Sequence, residues 1–214
     1  MKHTIRLTLY LIGLFCLALG IVLAIKSDLG VSPVSSIPLS LSNIIGISLG
    51  TMTAGIFAFY VVLQILILRG KFKFKSLLQI FFGFVFGFFV DFATILLVWV
   101  EANSYFTQVL LILISMFVVA VGIMLIIAMD IVPGAPEGLM LALCDVTGIH
   151  FPKMKVWFDT ISVVLAATLS FIFLGHISSM REGTIISALL IGKIIEVISK
   201  PCKPWLKKVA FYDD

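Results

Sequence analysis

The side chains that could do chemistry in this sequence are few, and most are acids set among apolar residues. Asp91 falls fifteen residues into the apolar stretch Leu77–Val100. An ionised carboxylate there is costly in hydrocarbon and normally faces a protein interior or water. Lys193 and Glu196 lie three apart in a second stretch, a spacing that puts them on one helical face where they can pair. Asp28 and Asp130 each close an apolar stretch. Two shorter runs open with Ser32, Pro33, Ser35 and Ser36, and with Gly134, Pro136 and Glu137. Helix N-termini formed there would present positive partial charge and free N–H groups, which suit an anion. Glu137 either occupies its own helix end or holds a cation or proton. The chemistry in view is the binding and passage of a small polar or ionic solute. A plainer reading stands beside it: Asp28 and Asp130 end helices next to water, Lys193–Glu196 is a neutralised pair, and Glu137 stabilises a helix dipole.

Enzyme signatures are missing. The chain has no HExxH, no GxSxG, no phosphate-binding loop and no His or Cys cluster at metal spacing. No enzymatic activity, cofactor or metal is therefore expected. Cys16, Cys144 and Cys202 show no CxxC spacing and cannot pair completely. His150 and His176 fall in loops, and Asp159 lies at helical spacing from Lys155, as in a salt-bridged helix end.

Composition names the scaffold that must hold these groups. Of 214 residues, 61% are hydrophobic and 12% charged, 19 are Phe, and the mean hydropathy is +1.23. Soluble domains run nearer half apolar and a quarter charged, and a chain of this size cannot hide so much apolar surface in one core. These figures exclude a soluble globular protein, a disordered chain and a nucleic-acid-binding module. The expected class is an all-α polytopic membrane protein whose first partner is the lipid bilayer.

About 20 apolar residues cross roughly 30 Å of hydrocarbon. Leu7–Ile25, Thr51–Leu68, Leu77–Val100, Val109–Met129 and Val156–Leu174 meet that or come close. Thr184–Ile198 is a shorter sixth segment that carries Lys193 and Glu196. The first, behind Lys2 and Arg6, reads as an uncleaved span because it is longer than a signal-peptide core. Val34–Ile45 and Glu137–Val146 are too short to cross. Each starts beside a proline (Pro33, Pro136) and ends beside a glycine (Gly46, Gly148), as re-entrant or interfacial half-helices do. With the N-terminus in the cytoplasm, six spans put Arg69–Lys75, Lys153, Lys155 and the Lys-rich C-terminus inside and leave Lys26 and Arg181 outside. That distribution obeys the positive-inside rule. The net charge of +4 thus reports orientation, and the basic clusters could also meet anionic lipid.

The chain also repeats itself. A shift of 102 overlays Gly20-Ile21-x-Leu23-x-Ile25-x-x-Asp28 on Gly122-Ile123-x-Leu125-x-Ile127-x-x-Asp130. It gives nine identities over the 31 positions from Gly20 to Gly50. Three residues must then be inserted before Gly70 meets Gly175 and Gly87-x-x-x-Asp91 meets Gly192-x-x-x-Glu196. Halves 1–102 and 103–200, followed by a basic tail at 201–214, each read as span, half-helix, span, span within one membrane domain. Three spans per half require the second copy to be inverted, an arrangement that recurs in transporters with the pathway near broken helices. Inversion would set Asp28 and Asp91 toward the outer side and Asp130 and Glu196 toward the inner side, as two gates. Phe81, Phe82, Phe84, Phe86, Phe88 and Phe89, with Gly83 and Gly87, mark span three as a packing or lipid-facing helix. The same face could form a homodimer interface.

Asp28-Leu29-Gly30-Val31-Ser32-Pro33, Pro133-Gly134-Ala135-Pro136-Glu137-Gly138-Leu139-Met140 and Gly183-Thr184 resemble the YczE/YitT-type bacterial integral membrane proteins, nearest the YczE side, over almost the whole chain. Members often carry Trp-Asp after the first proline, where this chain has Val34-Ser35. If that acid serves a site, the first half-helix here lacks it. The resemblance implies a bacterial inner-membrane protein and carries little chemistry, since the family is largely uncharacterised; the cytoplasmic placement of both termini comes from the charge distribution. The function expected is a secondary or facilitative transporter. The alternatives are a non-transporting protein that assists or regulates a membrane partner, and a substrate-binding membrane subunit of a larger uptake complex.

Overall fold

The computed structural model describes residues 2–176 and 181–210. Eight α-helices account for almost all of it: α1 (Lys2–Ser27), α2 (Pro33–Ile45), α3 (Leu49–Leu68), α4 (Leu78–Leu96), α5 (Tyr105–Met129), α6 (Ala135–Thr147), α7 (Phe151–Leu174) and α8 (Glu182–Ala210). There is no strand among the described residues. Among the described residues, five segments are long and apolar enough to cross a membrane: His3–Ser27, Leu49–Lys71, Phe74–Leu96, Tyr105–Met129 and Phe151–Leu174. This is an all-helical protein of membrane composition. α8 is not among the five, because Glu182, Lys193, Glu196 and Lys200 interrupt its apolar run. It continues through Ala210, so most of what the sequence suggests is a tail is helical. Residues 211–214 lie outside the described part.

Local chemistry sets the helix ends. Ser48 and Ser104 cap α3 and α5, their hydroxyls accepting from the backbone N–H of Thr51 and Thr107 at 3.2 Å. Gly46, Gly148 and Gly175 take positive φ at the ends of α2, α6 and α7, where a side chain would strain the left-handed turn. Asp28 and Asp130 adopt the same conformation behind α1 and α5, with φ of 55° and 48°. Four boundaries recur 102 residues apart: Ser27 and Met129, Pro33 and Ala135, Ile45 and Thr147, Leu49 and Phe151.

The chain forms two compact units, and each draws segments from both halves of the sequence. The first comprises Met1–Ser32, Phe92–Ile131 and Arg181–Asp214. Along α1, Arg6 meets Met129, Gly13 meets Gly122, and Gly20 meets Ser115 and Val119. Partner numbers fall as α1 advances, so α1 and α5 run antiparallel. Their backbones nearly touch: a Cβ on Gly122 would lie 2.7 Å from Leu17 N and 2.8 Å from the Gly13 carbonyl oxygen. Small residues that admit this approach are the usual basis of helix association in lipid, where no hydrophobic drive operates. α8 packs on α5, and its start is tied to the turn after α1 by Gly183 N–H donating to Leu29 O at 2.8 Å.

The second unit comprises Pro33–Asp91 and Val132–Met180. In it α2 packs along α7 and α6 packs along α3. A buried serine seam joins the first pair: Ser36 Oγ donates to Pro33 O at 2.6 Å and Ser162 O at 3.3 Å, and Ser170 Oγ donates to Ser40 Oγ at 3.0 Å. Tyr60, Val61, Ala135 and Leu139 form the core of the second pair. Phe57 stacks on Phe86 at 5.6 Å, and Tyr60 meets Phe158 edge-on at 5.7 Å. The glycines of α4 face α3: a Cβ on Gly87 would lie 3.0 Å from Ala54 Cβ, and one on Gly83 would lie 3.3 Å from Phe57 Cβ. Phe82 and Phe86 are buried while Phe81, Phe84 and Phe88 are exposed, so this helix both packs and presents an apolar face.

Candidate functional site

The second unit holds a buried polar arrangement at the start of α6. α6 has 13 residues and rises only about 20 Å, short of the hydrocarbon thickness. Gly134 caps its start and Pro136 occupies the first turn, where a missing N–H costs nothing. Two glutamines close over this start. Gln64, late in α3, and Gln79, second in α4, are 2% and 3% exposed. Gln64 Nε2 donates to Gln79 Oε1 at 2.9 Å and to Ala135 O at 3.2 Å. The carboxamides lie on the backbone of Gly138, where a Cβ would sit 2.7 Å from Gln79 Nε2 and 2.8 Å from Gln64 Oε1. Only glycine leaves room for them.

Glu137 precedes Gly138 in the same first turn and is half-buried. Its carboxylate folds back over Gly134 onto the start of its own helix, the first of the two roles its position suggests. Burial raises its carboxyl above the usual range, opposed by its own backbone N–H and by Lys155, while Asp159 pushes the same way as burial. Lys155 and Asp159 are themselves bridged at 3.0 Å. The carboxamides offer neutral donors and acceptors, and Glu137 adds a carboxyl that holds its proton more tightly than a free one.

The other acids have local partners. Asp91 caps α3: Oδ1 accepts from Gly50 N–H and Oδ2 from Ser48 Oγ, both at 2.7 Å. At the end of α5, Arg6 donates from Nη2 to Met129 O at 2.6 Å and to Asp130 O at 3.1 Å. At the end of α1, Arg181 Nη1 donates to Asp28 O at 2.9 Å and to the Asp28 carboxylate at 3.4 Å. Asp28 and Asp130 thus end helices whose last carbonyls meet arginines. Glu196 does not pair with Lys193. It bridges Lys200 at 3.1 Å, and both side chains are exposed. The physical reason is direction, since Glu four residues ahead of Lys is the better helical geometry.

In α2, Ser35 and Ser36 are buried, and Ser32, just before the helix, is half-buried. Ser36 bonds within its helix and across to α7. Pro38 interrupts α2 and removes the N–H that would reach the Val34 carbonyl. Gln64 and Gln79 do not figure among the expected site residues. Their signal was available: each falls inside an apolar stretch, Gln64 in Thr51–Leu68 and Gln79 in Leu77–Val100. Among the described residues, no three His, Cys, Asp or Glu side chains gather as a metal site would require.

A family of unknown function, DUF6198, matches residues 4–200. The chain belongs to that family. No curated protein and no solved structure matches it. What this DUF6198 chain brings together is therefore best judged from its own groups. In the second unit these are Gln64, Gln79, Gly138 and Glu137 at one half-helix start, and a serine seam along the other half-helix.

Proposed function

We propose that this protein is a small secondary or facilitative transporter of a bacterial inner membrane, moving a polar or ionic solute where two inverted repeats meet. On this reading α8 is the sixth span, α2 and α6 are re-entrant half-helices, and both termini are cytoplasmic. The helix boundaries spaced by 102 residues support the repeat. So do the contacts, since α2 with α7 and α6 with α3 exchange when the halves are exchanged. Arg6 with Asp130 and Arg181 with Asp28 join groups that a six-span topology assigns to a common side.

The observation that carries the proposal is the buried carboxamide pair at the start of α6. A helix too short to cross that opens on polar groups, here Gln64, Gln79 and Glu137, is similar to the interrupted helices near which transporters hold solutes.

Side-specific cysteine labelling tests it. In a background with Cys16, Cys144 and Cys202 replaced, single cysteines go to Ser35 and Ala135, both buried at half-helix starts. Gly138 is unsuitable, because a side chain there displaces the carboxamides. Transport expects each cysteine to react in both right-side-out and inverted vesicles. Reaction from one side alone, or from neither, would overturn the proposal. That result would favour the second reading, a protein that assists a membrane partner, which draws support from the use of Asp28, Asp91 and Asp130 at helix ends.

A further inference from the structure

The loop between α3 and α4 reads Arg69-Gly70-Lys71-Phe72-Lys73-Phe74-Lys75, four cations in seven residues without an acid. It joins two of the five helices fit to cross a membrane, so it lies at a membrane surface whichever way the chain is inserted. The loop is built rather than loose. Arg69 turns the chain at the end of α3 with a φ of 47°, its N–H still donating to Ile65 O. Short 3-10 turns at Arg69–Lys71 and Phe74–Leu77 keep it compact. Phe72 packs against the core of Tyr60, Val61, Ala135 and Leu139 and anchors it to α3 and α6.

The four cations stay exposed. The ion pairs among the described residues use Lys155, Arg181 and Lys200 and none of these four. Phe74, between Lys73 and Lys75, is 86% exposed. An unneutralised cationic row with a protruding ring, held at the level where a span leaves hydrocarbon, matches the boundary between acyl chains and anionic headgroups.

We propose that Arg69, Lys71, Lys73 and Lys75, with Phe74 inserted among the acyl chains, form a binding site for the headgroup of an anionic phospholipid. The site rests on the membrane class of the chain and is independent of the transport reading. Each cation at such a surface favours anionic lipid about five-fold, and the rigid loop presents four together.

The test is native mass spectrometry of the full chain in detergent, with equal amounts of phosphatidylglycerol and phosphatidylcholine added. The wild-type protein is expected to retain phosphatidylglycerol in preference. Replacing all four cations by Gln should remove that preference. Lys73→Gln with Lys75→Gln leaves the Arg69 turn intact and should lower it at least ten-fold, so the test survives if the fourfold variant fails to fold. Phe74→Ser should weaken retention of both lipids. Equal retention of the two lipids by the wild type would overturn the site. So would a preference unchanged in the double variant, or abolished instead by Lys203→Gln, Lys207→Gln and Lys208→Gln. Displacement of the lipid by millimolar inorganic phosphate would also overturn it, by marking a soluble anion as the ligand.

Discussion

Asp91→Ala should destabilise this protein by about 2–4 kcal/mol, a value that follows from what its carboxylate does. Gly50 lies in the first turn of α3, where an N–H has no partner in its own helix, and Asp91 Oδ1 accepts from it at 2.7 Å. Loss of a hydrogen bond to an ionised acceptor costs about 1.5–3 kcal/mol, and a negative charge at a helix start contributes about 0.3–1 kcal/mol more. The second bond, from Ser48 Oγ, adds less, because that hydroxyl also reaches Thr51 Oγ1 at 2.8 Å. Asp91→Asn keeps an acceptor for Gly50 and gives Ser48 a donor, so its cost falls to about 1 kcal/mol. The assay is reversible unfolding in mixed micelles, titrated with SDS and followed by helical circular dichroism. Pairing Asp91→Ala with Ser48→Ala should reveal a coupling of at least about 0.5 kcal/mol, as for residues in one network. An Asp91→Ala protein with the wild-type unfolding free energy would refute the capping account and return Asp91 to the solute pathway.

Three further outcomes are expected. Gly122→Ala puts a Cβ 2.7 Å from Leu17 N and should cost about 1–3 kcal/mol by overpacking, whereas Gly55→Ala, with nothing within 4 Å, should be neutral or gain up to about 1 kcal/mol of helix propensity. The two SDS titrations side by side check this. Glu137 has its folded carboxyl raised above the ordinary value of 4.5, so the stability tied to its neutral form is complete below about 4.5 and is lost as pH rises through the raised value. Glu137→Gln should flatten that part of the stability–pH curve. Gln64→Leu alone leaves buried partners unpaired and should cost about 1–3 kcal/mol, while Gln64→Leu with Gln79→Leu should recover part of that loss; a double-mutant cycle measures the difference.

The sequence revealed the short helices because breakers mark them from both ends. Val34–Ile45 and Glu137–Val146 differ from α2 and α6 by no more than two residues at any boundary, since proline and left-handed glycine act locally. The first turns of spans are less legible. Apolarity begins at Leu7 and Val109, yet α1 and α5 begin at Lys2 and Tyr105, because polar residues form helix as readily before entering hydrocarbon. Asp91 was visible as an anomaly, but its partner was not: Ser48 lies 43 positions away, and no periodicity links a helix cap to a residue on another helix. Gln64 and Gln79 escaped because they carry no charge, although burying an amide in lipid demands a partner almost as firmly. The Lys193–Glu196 pairing failed for a simpler reason, since a better-directed cation follows at Lys200.

Broken helices explain where the charges went. Each helix end exposes up to four unpaired backbone groups that need partners. The chords from α1 to α3 and from α5 to α7 each contain a half-helix, doubling the number of ends to satisfy. Asp91, Arg6 and Arg181 serve ends of α3, α5 and α1, and Asp28 and Asp130 supply the left-handed turns that stop α1 and α5. Once those duties are assigned, an acid deep in an apolar stretch is no longer by itself evidence of a pathway. The informative groups are the polar side chains whose burial exceeds what helix termination requires. Gln64 donates to the Ala135 carbonyl, a group that a helix start does not leave unpaired, and it comes with a second buried carboxamide and a glycine backbone that leaves space for both. That surplus of polar groups at the start of α6 argues for solute contact more strongly than the charge of any acid in the chain.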